Sequence, residues 1–137
     1  MPWLPYALLS AAAAALTAIL GKLGVAGVPS TLATAIRTVV VGLFAWSITI
    51  GLAEHRAIPT ISRSSWLFLT LSGLATGISW LAYYRALQLG AASRVAPIDK
   101  LSLPLTIILA VVVLGEQVTL KTAVGVALMV VGGILTL

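Results

Sequence analysis

The sequence predicts an all-α integral membrane protein, a five-transmembrane-helix bundle forming a single domain over residues 1–137. Hydrophobic residues make up 61% of the chain and charged residues only 8%, whereas soluble domains carry about 45–50% apolar and about 25% charged residues. Two runs, Trp3–Gly21 and Ser64–Tyr84, contain no Lys, Arg, Asp or Glu. Each is long enough to span, because about 20 helical residues cross a hydrocarbon core near 30 Å thick. Equally apolar segments continue to the C-terminus without the strict alternation of barrel strands, so the spans read as helices. The first run lacks a basic leader, which favours a spanning helix over a cleaved signal peptide.

The first helix covers about 3–20, with Trp3 and Tyr6 as interfacial anchors. The Gly/Pro-rich connection GKLGVAGVPS leads to a second helix at about 31–53, where Ser30 or Thr31 can accept from the first free amides as a cap. EHRAIPTISRS is the most polar piece of the chain and forms a loop. Its His55 is the sole histidine, and beside Glu54 and Arg56 it reads as solvated. The third helix runs over about 65–85, the fourth over about 94–114 and the fifth over about 118–137. Small residues suit close helix approach at Gly73 and Gly77 on the third helix and at Gly125 and Gly132 on the fifth.

The fourth helix carries the polar residues of interest. Between Lys100 and Glu116 lie 15 uncharged residues, roughly 22 Å of helix, which is short of a full span. Two readings follow. If the helix starts near Arg94, Asp99 and Lys100 lie inside the bilayer; if it starts at Pro97, they sit in an interfacial first turn. Asp99, Ser102 and Thr106 share one helical face, and a polar stripe on a spanning helix faces protein or water. Asp99 and Lys100 point roughly 100° apart, so they are not expected to neutralise each other, and a buried Asp99 needs Lys22 or Arg37. Pro104 has no N–H, which predicts a kink and a free carbonyl at Lys100.

The charge pattern excludes some classes. The formal net charge is +5, but the basic residues are scattered singly and form no nucleic-acid motif. The chain has no cysteine, which removes disulfides and thiolate chemistry, and no Ser-His or metal-ligand constellation is present. No cofactor and no enzyme activity are expected. Loop Lys and Arg balance across the membrane, with Arg56, Arg63 and Lys121 on one side and Lys22, Arg85 and Arg94 on the other. Weak asymmetry of this kind leaves two readings: one topology with a modest bias, or insertion both ways and an antiparallel pair forming a two-fold inverted repeat.

The tail from Tyr83 to Leu135 resembles the EamA-like half of the drug/metabolite transporter superfamily. The matching pieces are Tyr83-Tyr84 before Ala86-Leu87, Ala92 to Pro97, Pro104, Leu114-Gly115-Glu116 and Gly125, and "ATAIRTVV" around Arg37 is similar to the family's second helix. The resemblance implies one inverted repeat of a ten-helix transporter, a homodimer, and a central cavity lined partly by the fourth helix. It implies a multi-pass protein of the cell's inner membrane that moves a small molecule, with Glu116 structural in the turn before the last helix. The first helix lacks the glutamate on which the related small multidrug resistance proteins depend for cation export. With Lys22, Arg37 and Lys100 available, an anionic or zwitterionic solute is expected.

The expected substrate pathway comprises Asp99, Lys100, Arg37, Lys22, Ser102, Thr106, Pro104, Trp80 and Tyr84. Lys100 and Arg37 attract substrate, and Asp99 sets selectivity or exchanges a proton. Trp80, Tyr83 and Tyr84 either line the pathway or belt the interface. The competing function is an accessory membrane subunit that needs a partner chain and transports nothing alone.

Overall fold

A computed structural model describes residues 2–136, and among these the secondary structure is helical with no strand. The elements are α1 (Leu4–Gly24), α2 (Ser30–Gly51), a 3-10 helix (Glu54–Thr60), α3 (Arg63–Leu89), α4 (Ala92–Asp99), α5 (Ser102–Leu114) and α6 (Leu120–Ile134). Four segments are long and apolar enough to cross a membrane: α1, α2, α3 and the stretch Ala92–Leu114. The fifth apolar helix, α6, is shorter. The expected fifth helix over 118–137 therefore begins later and ends earlier, and residue 137 lies outside the described residues. Thr119 sets its start by accepting the Thr122 amide on its hydroxyl.

Other boundaries also move. α1 continues to Gly24 and α3 to Leu89, so Lys22 and Arg85 sit on helices rather than in loops. The cap expected from Ser30 or Thr31 is absent, because Pro29 occupies the N-cap and makes no side-chain cap bond. The polar loop folds into a 3-10 helix entered through Ala53 in the left-handed region, at φ 59°. His55 is half-buried there and its Nδ1 lies out of water with no hydrogen-bond partner, contrary to the solvated reading.

The main correction concerns the fourth segment, which is interrupted at Lys100–Leu101 and forms two helices rather than one. Pro104 supplies the physical reason, since it has no amide to offer the Lys100 carbonyl. That carbonyl is not left free, as had been expected; it accepts the Leu103 amide at 3.0 Å. The Leu101 amide likewise reaches back three residues to Ile98, at 3.0 Å. A short 3-10 tightening thus repairs the ladder around the break. α4 starts at Ala92, two residues before the expected boundary, so Pro97 lies inside α4 and does not open a helix.

By its contacts the chain divides into two units. In the first, comprising residues 1–19 and 89–137, α6 packs against α4 and α5. A Cβ placed on Gly133 would lie 3.5 Å from the Leu101 side chain and 3.5 Å from the Pro97 carbonyl, so α6 approaches the break through this residue. α5 ends at Gly115, whose φ of 69° turns the chain and lets the Glu116 amide return to the Ala110 carbonyl at 3.2 Å. Glu116 thus lies in the connection before α6.

In the second unit, residues 20–88, the buried residues include Gly21, Val25, Thr34, Tyr84 and Leu87. The end of α1 meets α3 where Gly21 faces the Tyr84 ring. By contrast, a Cβ at Gly73, Gly77, Gly125 or Gly132 would meet nothing within 4 Å. These glycines pack no described part of the chain.

Hydroxyls within the spans return to their own helix. Thr17 donates to Ala13, Thr34 to Ser30, Ser47 to Leu43, Thr70 to Trp66 and Thr76 to Ser72. This satisfies them without water.

The contrast between the glycines generates a test. A methyl at Gly21 would lie 2.8 Å from Cε1 of the buried Tyr84 ring. Gly21→Ala should therefore lower stability by about 1–3 kcal/mol. Gly42→Ala, which meets nothing within 4 Å, should leave stability unchanged or raise it. Thermal unfolding of the purified variants in detergent distinguishes the two.

Candidate functional site

Two polar clusters emerge, one in each unit. In the first unit the break presents an ion pair. Lys100 Nζ lies 3.3 Å from Asp99 Oδ2, with side-chain exposures of 56% and 33%. This overturns the expectation that sequence neighbours on a helix point apart and stay unpaired. Lys100 caps α4 rather than continuing a regular helix, and its long flexible stem folds back to the adjacent carboxylate. Asp99 therefore finds a cation next door. Thr106 donates to the Ser102 carbonyl at 2.9 Å, which places these two together on α5 with the threonine hydroxyl proton already used. Pro104 lies between them on the same helix.

The second unit holds Lys22, Arg37, Trp80 and Tyr84. The Arg37 Cζ sits 3.2 Å above the centroid of the Trp80 ring and 6.0 Å from that of Tyr84. Trp80 in turn meets Tyr83 and Tyr84 edge-on, with centroids 5.7 and 5.6 Å away. Edge-to-face packing points the positive ring edge at the negative face of its neighbour. A cation on a ring face contributes about 0.5–2 kcal/mol, more as water is excluded. These aromatic residues thus brace an arginine instead of forming only an interfacial belt. Arg37 lies roughly 10 Å along α2 from Ser30, within the span.

Lys22 plays a different part. Its ammonium donates to the Leu87 carbonyl, tying α1 to the last turn of α3. Gln88, which sequence reasoning missed, works beside it. Its Nε2 donates to the carbonyls of Val28 at 2.6 Å and Val25 at 3.3 Å, while Arg85 Nη1 donates to its Oε1 at 3.1 Å. Two carbonyls of the α1–α2 connection are thereby satisfied from α3. The available signal was an uncharged amide in the apolar stretch "RALQLG", since a group with two donors and an acceptor seeks partners at a membrane boundary.

These elements, apolar spans with a broken fourth segment, a Leu-Gly-Glu turn and an arginine in the second helix, can now be set against known proteins. The sequence pattern of the EamA-like transporter family matches residues 1–137. The chain belongs to this family. It is also similar to a Sinorhizobium protein described as an uncharacterized transporter in the cobO 3′ region. The two are 50% identical over 133 residues, which cover 97% of this chain and 94% of that relative. No solved structure matches the chain. As an EamA-like protein it is a multi-pass membrane transporter, with a small molecule as its substrate and lipid as its surroundings.

No metal-binding group of His, Asp or Glu occurs among the described residues of this EamA-like chain. What its two clusters can do is bind charge, through the Asp99–Lys100 pair and through the guanidinium on Trp80. The Gln88 latch yields a structural prediction. Gln88→Ala should lower stability by about 1 kcal/mol and speed amide hydrogen exchange over residues 25–30, with exchange in α6 unchanged. Exchange mass spectrometry in detergent measures both.

Proposed function

We propose that the chain carries an anionic or zwitterionic small molecule across the inner membrane by alternating access, as an antiparallel homodimer. The interruption of the fourth segment at Lys100–Leu101, with an ion pair at the break, is the observation that supports this reading best. Discontinuous helices mark binding sites in secondary transporters, because their irregular backbone lies where protein or a cavity satisfies it. Lys100 attracts the solute and, when engaged by it, releases Asp99 from the pair. Asp99 then sets selectivity or exchanges a proton. Ser102, Pro104 and Thr106 continue the pathway on α5; Arg37, with Trp80 and Tyr84 around it, provides a second cationic point. Lys22 acts indirectly, by holding α1 to α3.

Two features support assembly from two copies. The spans bury almost nothing within the chain, and the relative is covered nearly to its full length by a single repeat of this size. The basic residues are scattered singly along the chain with no run that would fix one orientation, which permits both. The assembled pair would then equal the two inverted repeats of a ten-helix transporter.

The test is transport by the purified chain in proteoliposomes, using a panel of radiolabelled organic acids and amino acids. Lys100→Ala should reduce transport by about tenfold or more while leaving the crosslinked dimer intact. Undiminished transport by this variant would remove Lys100 from the pathway. Failure of the unaltered chain to move any solute alone would favour the accessory-subunit reading.

A further inference from the structure

Arg37 presents an unusual balance of satisfied and unsatisfied groups. At 3.2 Å from the Trp80 centroid, Cζ is too close for any guanidinium nitrogen to point down at the ring. Such a nitrogen would lie inside van der Waals contact, so the guanidinium rests flat on the indole. One face is thus occupied, and its N–H groups project sideways from the edge. Those N–H groups make no hydrogen bond or ion pair with any described residue. The second unit contains a single carboxylate, Glu54. It lies past the far end of α2, roughly 20 Å along the helix from Arg37. A guanidinium is a permanent cation with a fork of donors that matches a pair of oxygens. Within a span such a group is retained where it meets an anion.

We propose that the edge of the Arg37 guanidinium, held flat against Trp80, is the receptor for the carboxylate of the transported solute. This rests on the transporter reading and names its substrate class. One guanidinium balances one negative charge, which favours a carboxylate over a phosphate dianion. The aromatic cluster of Trp80, Tyr83 and Tyr84 beside it suits the organic remainder of such a solute rather than a hydrated inorganic anion. Trp80 fixes the direction of the fork in advance, so little side-chain freedom is lost on binding. Arg37 in this role touches substrate, while Trp80 positions it.

Trp80 also reports on the site. Replacing Trp3, Trp46 and Trp66 by phenylalanine leaves Trp80 as the sole indole fluorophore. The full chain carrying these changes is titrated in phospholipid-free maltoside with acetate and benzoate, against acetamide, benzamide, chloride and inorganic phosphate. The expected result is a saturable change in Trp80 emission with the carboxylates, strongest for benzoate, and none with the amides. Arg37→Gln should abolish the change with helical circular dichroism preserved. Arg37→Lys, which keeps the charge but loses the fork, should weaken binding by about tenfold; it decides the matter should the glutamine variant not fold. Emission indifferent to carboxylates, equal responses to the amides, or unaltered affinity in Arg37→Lys would overturn the proposal. A response confined to added phosphatidylglycerol would also overturn it and assign the guanidinium to a lipid headgroup. Binding is read here without transport. A chain that binds benzoate but moves no solute contradicts the transporter mechanism alone, whereas a transporting chain whose Trp80 ignores carboxylates contradicts this inference alone.

Discussion

The hydrocarbon core offers no hydrogen-bond partners, and nearly every feature of this chain follows from that constraint. Each backbone amide and carbonyl within a span needs a partner in the protein, which makes helices the only economical structure for sequences of this composition. Hydroxyls obey the same rule, so Thr34, Thr38 and Ser47 donate to carbonyls one turn back. Helix ends show it as well. Thr119 caps α6, the left-handed Gly115 returns the Glu116 amide to Ala110, and Gln88 covers two carbonyls of the α1–α2 connection.

Against this background, departures from the rule acquire meaning. The ladder between α4 and α5 is interrupted, then repaired by bonds that reach three residues instead of four. The interruption coincides with the Asp99–Lys100 pair, so backbone irregularity and charge occur at one point in the chain. Arg37 departs differently. Its charge is braced by an aromatic ring, not by a carboxylate, and its N–H edge meets no hydrogen-bond partner among the described residues. Glycine placement follows a comparable division. Gly21 and Gly133 make room for neighbours, whereas Gly73 and Gly77 face open space within the chain.

Much of the fold was legible in the sequence because apolar run length is a strong physical signal. The four long spans and an irregularity ahead of Pro104 follow from residue chemistry, although a kink in one helix was expected and two helices are found. The place of Glu116 before the last helix was implied by the family resemblance. The details that escaped depend on side-chain reach or on pairs of distant residues. Helical phase separates Asp99 from Lys100 by direction at Cβ, but a lysine stem is long enough to cancel that separation, and Lys100 sits at a helix end. The free carbonyl inferred at Lys100 ignored the 3-10 alternative, in which Leu103 substitutes for the missing proline donor. No spacing in the sequence joins Arg37 to Trp80 or Gln88 to Val28, since each pair lies on elements brought together only by folding.

The spans leave their apolar surface almost entirely uncovered by the chain itself, and Phe44, Ile78, Leu109 and Leu128 are among the large side chains left exposed. Lipid can cover such a surface, yet a pathway for a charged solute needs walls of protein on all sides. An inverted second copy would provide them from the same sequence. The most direct measurement exploits the absence of native cysteine. Ile58→Cys, in the 3-10 helix between α2 and α3, is labelled in intact cells with a membrane-impermeant thiol reagent. Antiparallel pairing predicts labelling of about half the chains, rising to completion after permeabilisation. Labelling of all chains or of none before permeabilisation would mean one fixed orientation and would contradict the inverted homodimer.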